Sequence, residues 1–65
     1  MITVNGNTIE WYKGMTILDI LKIMNYTFKL LVVKVNGELI RKTDYDSFSV
    51  PDQAEVKIIH LISGG

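Results

Sequence analysis

Apolar and polar residues alternate at both ends of this chain and take a helical period between them. Ile2-Thr3-Val4 alternates, Asn5-Gly6-Asn7 intervenes, and Thr8-Ile9-Glu10-Trp11 alternates again. Asn-Gly between two such runs predicts a tight hairpin, because both central residues of that turn need positive φ. Ile2 and Val4 then face the core, with Thr3 and Asn5 on the opposite side. Tyr12-Lys13-Gly14 breaks the pattern, and Thr16 with Asp19 has the spacing of a helical capping box. Ile17, Ile20, Leu21 and Met24 follow the i, i+3, i+4, i+7 rule, with Leu18 and Ile23 widening the apolar stripe. Asp19, Lys22 and Asn25 or Tyr26 occupy the other side. Asn25 suits a left-handed helix end. A stripe of this width predicts core rather than a ligand site.

Tyr26 to Leu30 is a connector with no readable period. Leu31-Val32-Val33-Lys34-Val35 is a β-branched strand, Asn36-Gly37 a second hairpin turn, and Glu38-Leu39-Ile40 its short return. Val33 and Val35 suit the core face, Val32 and Lys34 the open one. Thr43 with Asp46 is placed to cap one short helical turn. Tyr45 and Phe48 read as a small satellite core, and Arg41-Lys42 as a solvated basic pair. Val50-Pro51-Asp52-Gln53 is a turn, proline presetting φ. It delivers the chain into a last apolar strand, Glu55-Val56-Lys57-Ile58-Ile59-His60-Leu61, that runs straight into Ile62-Ser63-Gly64-Gly65.

Two hairpins around one helix, with a final strand returning, predict an α+β sheet covered by a helix on one face. The first and last strands are expected as parallel neighbours in the middle, since the last is the most apolar. The other sheet face should lie open. With 65 residues there is one domain, spanning 1–65, with a flexible tail at 62–65. Such a chain buries only about 60% of its unfolded surface. It has no cysteine, so neither a disulfide nor a thiolate metal site can staple it. It must fold on apolar burial alone, which a hydrophobic content of 48% allows.

Seven basic and seven acidic residues cancel, so the broad positive field needed for nucleic acid is missing. No apolar stretch reaches membrane-spanning length. Met1-Ile2-Thr3-Val4 lacks the features of a signal peptide, so cytoplasmic residence is expected. His60, the single histidine, has no sequence partner that makes a catalytic motif and reads as a strand-end residue. Neither catalytic nor metal-binding residues are expected. The candidate working group is the α-carboxylate of Gly65, with Ser63 and Gly64 as its tether. Glycine suits a narrow partner channel because it lacks Cβ and adopts backbone angles other residues resist. Ile62 to Gly65, fully extended, reaches about 13 Å at about 3.3 Å per residue. Val56 and Ile58 alternate inward, so Ile59 and Leu61, with Ile62 after them, form a candidate partner-binding patch that Val32 extends.

Asn36-Gly37, Ile40-Arg41, the aromatic Tyr45, Pro51-Asp52, Val56, Ile58 and the closing Gly64-Gly65 together resemble the ThiS/MoaD family of sulfur carriers. Each element alone is weak, but their order covers the whole chain, and the length fits the thiamine branch. The resemblance implies a β-grasp, ubiquitin-like fold: a mixed five-strand sheet with one main helix and a short helical turn. Tyr45 stands where that branch usually has Trp. Asp52-Gln53-Ala54 stands in place of Asp-Gly-Asp, so this turn is expected to take another geometry.

The resemblance further implies a carrier rather than an enzyme, monomeric when free and without a bound cofactor. A ThiF-like adenylating enzyme would use ATP to activate Gly65. A persulfide donor would then supply the sulfur of a thiocarboxylate, and a ThiG-like thiazole synthase would receive it in thiamine biosynthesis. Two alternatives share the fold: the small subunit of molybdopterin synthase, and a ubiquitin-like modifier joined to lysines.

Overall fold

The computed structural model describes residues 1–26 and 30–61. Strand β1 (Ile2–Val4) turns through Asn5-Gly6 into β2 (Asn7–Ile9). Helix α1 (Ile17–Ile23) follows, then β3 (Leu31–Val35) and β4 (Glu38–Ile40). A single 3-10 turn (Lys42–Asp44) and β5 (Glu55–His60) complete the order. The strands form one mixed sheet in the order β2-β1-β5-β3-β4. β5 lies at its centre, parallel to β1 as the apolar pattern predicts, and its other neighbour, β3, runs antiparallel to it.

Both hairpins close on the expected turns. Asn5 and Gly6 have φ of 51° and 84°, and Asn36 and Gly37 repeat those values. The first hairpin is shorter than its alternation suggests. Ile2 already pairs with Ile9, so β1 offers Glu10 and Trp11 no further partner. Trp11 leaves the ladder, and its indole N–H donates to the Val50 carbonyl at 2.7 Å.

The capping box at the head of α1 is complete. Asp19 N–H donates to Thr16 Oγ1 at 3.3 Å, and Thr16 N–H donates to the Asp19 carboxylate at 3.0 Å. A further first-turn donor, Leu18 N–H, reaches the Tyr45 carbonyl at 3.0 Å. Ile17 and Ile20 are fully buried, with Leu21 and Met24 packed beside them. Leu18 and Ile23, expected to widen the stripe, are exposed instead. At about 100° per residue they lie roughly 110° to either side of the stripe's centre, too far round for so short a helix to bury. Asn25 ends the helix with φ of 57°. Tyr26, expected on the polar side, packs against the core.

The core lies between α1 and the sheet. Val4, Val33 and Val56 come from adjacent strands, and each is at most 1% exposed. Each contributes about 1.5–3 kcal/mol by leaving water. Met15, Val50 and Ala54 are buried with them, drawn in from loops that carry no periodic signal. Tyr45 is no satellite: it enters this main core, with Phe48 packed against it. That anchor also places the helical turn after β4. Thr43 does not cap it; the turn begins at Lys42 behind Arg41, with no side-chain cap. Arg41 and Lys42 are exposed, as their reading as a solvated pair requires.

The turn before β5 answers the Asp52-Gln53-Ala54 departure. Gln53 has φ of 63°, inside the left-handed region where glycine is at ease. Asp52 compensates by accepting from both the Gln53 N–H at 2.8 Å and the Met1 ammonium at 3.0 Å.

Two outcomes test these local arguments. Gln53→Gly should raise stability by about 0.5–1 kcal/mol in urea unfolding, relief of left-handed strain exceeding glycine's entropic cost. The Asp19 carboxyl titrates below the ordinary carboxylate range, chiefly because the Thr16 backbone N–H donates to it. Its contribution is therefore whole above about pH 4 and fades as pH falls through the folded value. The gap in melting temperature between the wild type and Asp19→Asn should narrow below about pH 4 and hold constant above about pH 5.

Candidate functional site

β5 is the element on which the candidate site is built. Val56 and Ile58 face α1 and are 1% and 7% exposed, while Glu55, Lys57 and Ile59 turn to the uncovered face. Ile59 and Leu61 are each 46% exposed, as the alternation predicts. The β3–β5 register supplies their neighbours. Val32 stands opposite Ile59, and the Leu61 N–H donates to the Leu30 carbonyl at 3.0 Å. Leu30, Val32, Ile59 and Leu61 therefore form one apolar quartet at the end of the open face from which residue 62 continues. Sequence reasoning missed Leu30, which sat in the unreadable connector. Its signal was parity: Leu30 and Val32 share a face once β3 is extended by one residue.

Lys34 and Lys57 lie directly opposite each other in the next rung. Like charges so placed oppose sheet formation, so this pair is not there for stability. Leu39 pairs with Lys34 and is 61% exposed at the outer edge of the same face. The open face thus divides into an apolar end around Ile59 and Leu61 and a cationic band behind it.

Backbone hydrogen bonds hold β5 from both sides, and two asparagine side chains add to them. The Asn36 Oδ1 accepts from Glu55 N–H at 2.9 Å, while Asn36 N–H donates to the Glu55 carbonyl at 2.8 Å. At the other end, Asn5 Oδ1 accepts from Ile58 N–H at 2.8 Å and its Nδ2 donates to the Ile58 carbonyl at 3.1 Å. His60 sits at the end of β5 opposite Leu31 and is exposed. Ile62, Ser63, Gly64 and Gly65, the remaining candidate residues and the whole expected tail, lie outside the described residues.

Elsewhere, Leu18, Leu21, Lys22, Asn25 and Tyr26 line a shallow groove of ≈ 340 Å³ along α1. Among the described residues no group of His, Asp and Glu is arranged to hold a metal ion. Nor, among them, is any helix long and apolar enough to cross a membrane.

The model of the ThiS family matches residues 2–65. The chain belongs to the ThiS family. The sulfur carrier protein ThiS of Bacillus subtilis (strain 168) is 32% identical over 66 residues, an alignment covering 100% of both chains. Two solved structures from Geobacter metallireducens share the fold, each at 24% identity. The crystal structure of thiamine biosynthesis protein (ThiS) has a TM-score of 0.78, covering 98% of this chain and 97% of that one. The solution structure of a thiamine biosynthesis protein has a TM-score of 0.72, covering 98% and 86%. The architecture described above is accordingly the β-grasp fold.

The open face makes a direct prediction. Ile59→Asp, at a half-exposed position, should cost no more than about 1 kcal/mol in urea unfolding. Ile58→Asp, one residue earlier, buries an unpaired carboxylate and should prevent folding at neutral pH.

Proposed function

We propose that this protein is a sulfur carrier, a protein substrate whose Gly65 carboxylate is loaded and unloaded by other enzymes in thiamine biosynthesis. The observation that carries the reading is the family match across residues 2–65, together with a full-length relative named as a sulfur carrier. Two features of the chain support it. The central strand of the sheet is the one that Ile62-Ser63-Gly64-Gly65 follow in sequence, and the apolar quartet lies at that strand's C-terminal end.

A carboxylate is a poor acyl donor, since its leaving group would be oxide. The Gly65 carboxylate therefore attacks the α-phosphorus of ATP bound by a ThiF-like adenylating enzyme, and pyrophosphate leaves. Sulfide attacks the resulting acyl adenylate at carbon, AMP departs with the bonding pair, and a proton is lost. A thiocarboxylate remains on Gly65. A persulfide donor reaches the same product through an acyl disulfide that a thiol cleaves. The thiocarboxylate sulfur is then the nucleophile delivered to a ThiG-like thiazole synthase. ATP is bound by the partner, and the carrier supplies the acyl group and the handle.

Docking would use the open face. Ile59 and Leu61, extended by Leu30, Val32 and Ile62, offer an apolar centre next to the reacting end. Lys34 and Lys57 behind it suit acidic groups on the adenylating partner. Glycine at 64 and 65 lets the backbone enter a channel too narrow for a Cβ.

Intact mass after incubation with ATP, the adenylating enzyme and sulfide should rise by the difference between a sulfur and an oxygen atom. An unchanged mass would overturn the proposal. Gly65→Ala should lower loading roughly 100-fold by displacing the acyl carbon, with unchanged thermal melting. Ile59→Asp should weaken affinity for the adenylating enzyme by about tenfold, the worth of one buried aliphatic contact. Equal affinity would remove the open face from the docking model.

A further inference from the structure

β1 and β5 run parallel, so the backbone groups of alternate β5 residues face β1. Thr3 N–H donates to the Ala54 carbonyl and Asn5 N–H to the Val56 carbonyl, each at 3.0 Å. The next β5 residue facing that side is Ile58. By then β1 has ended at Val4, and the chain has turned away through Asn5-Gly6. The Asn5 carboxamide fills the gap, accepting from Ile58 N–H and donating to the Ile58 carbonyl. A carboxamide carries the same acceptor and donor as a peptide unit, so it adds one rung beyond the end of β1. The Tyr26 hydroxyl, 3.5 Å from Asn5 Nδ2, lies behind it.

The second Asn-Gly turn supplies a comparison within the molecule. Asn36 has the same φ as Asn5 and also accepts from a β5 backbone N–H through its side chain. Its partner is Glu55, at the opposite end of the strand from residue 62. One asparagine thus braces where β5 begins, and the other braces where it approaches the open-face quartet.

We infer that Asn5 is a positioning residue for the carrier's reacting end, an assignment that rests on the sulfur-carrier reading. It anchors β5 on the β1 side immediately before Ile59 and Leu61, and so fixes the orientation in which those two docking residues are presented. Without the carboxamide, β5 beyond Val56 is held from the β3 side alone. The strand stays paired, but it can pivot about β3, and the docking residues Ile59 and Leu61 are presented over a spread of orientations. More carrier is then needed for half-maximal loading, while chemistry within the docked complex keeps its rate.

The test uses the full chain with the adenylating enzyme, ATP and sulfide. Asn5→Gly removes the carboxamide and keeps a residue at ease at positive φ, and Asn36→Gly does the same at the far end. Asn5→Gly should speed exchange of the Ile58 amide and raise KM about fivefold, the ratio one ordinary hydrogen bond amounts to. Its kcat should not change. Asn36→Gly, which loses one exposed side-chain hydrogen bond, should lose less stability in urea and keep the wild-type KM. Asn5→Asp, which retains the acceptor, should fall between the wild type and Asn5→Gly. Equal KM for the two glycine variants, an effect on kcat alone, or unchanged Ile58 exchange in Asn5→Gly would each overturn the positioning role. Loading of the wild type separates the two readings: if it takes no sulfur, the carrier function falls first.

Discussion

A strand at the centre of a sheet must have its backbone paired on both sides, and that requirement shapes this protein. β5 has β1 on one side and β3 on the other, and both neighbours belong to hairpins whose turns leave the sheet before β5 is fully matched. An unpaired peptide group costs about 1–3 kcal/mol where it is buried and less where water reaches it, as at Glu55. The two turn asparagines supply the missing partners, Asn5 to Ile58 and Asn36 to Glu55. One residue type therefore does two jobs at once. Its tolerance of positive φ makes the turn, and its carboxamide completes the ladder.

The helix decides the rest by covering one face only. α1 spans 7 residues and buries Ile17 and Ile20 against the sheet, which leaves the far face to solvent. On that face the alternation of β5 and β3 sorts an apolar quartet to one end and two opposed lysines to the next rung. Neither group adds much to stability, and the lysines detract from it. The covered face thus carries the core, and the uncovered face carries these two groups.

Much of this architecture was legible in the residues. The Asn-Gly turns, the Thr16–Asp19 box and the β-branched run of Leu31–Val35 all stand as expected, because each rests on interactions within a few residues. The misreadings involve distance along the chain. Leu18 and Ile23 have the right composition for a core stripe, but a seven-residue helix turns them past its edge. Thr43 has a capping residue's chemistry, yet the turn is placed by Tyr45, whose ring enters the core and whose carbonyl caps Leu18. Gln53 takes a glycine's conformation because Asp52 and the Met1 ammonium hold the turn around it.

By itself the sequence determined the elements, the central place of the last strand and the membership that its motifs imply, since turn chemistry and hydrophobic period are local properties. It also marked Ile59 and Leu61 as facing away from the core, which follows from parity alone. Only the tertiary structure added Leu30 to them and to Val32, because the Leu30–Leu61 pairing depends on residues 31 positions apart coming into line. It alone showed that Asn5 braces Ile58 across 53 positions. A carboxamide's partner is set by where a distant backbone comes to rest, and no pattern of neighbours along the chain encodes that.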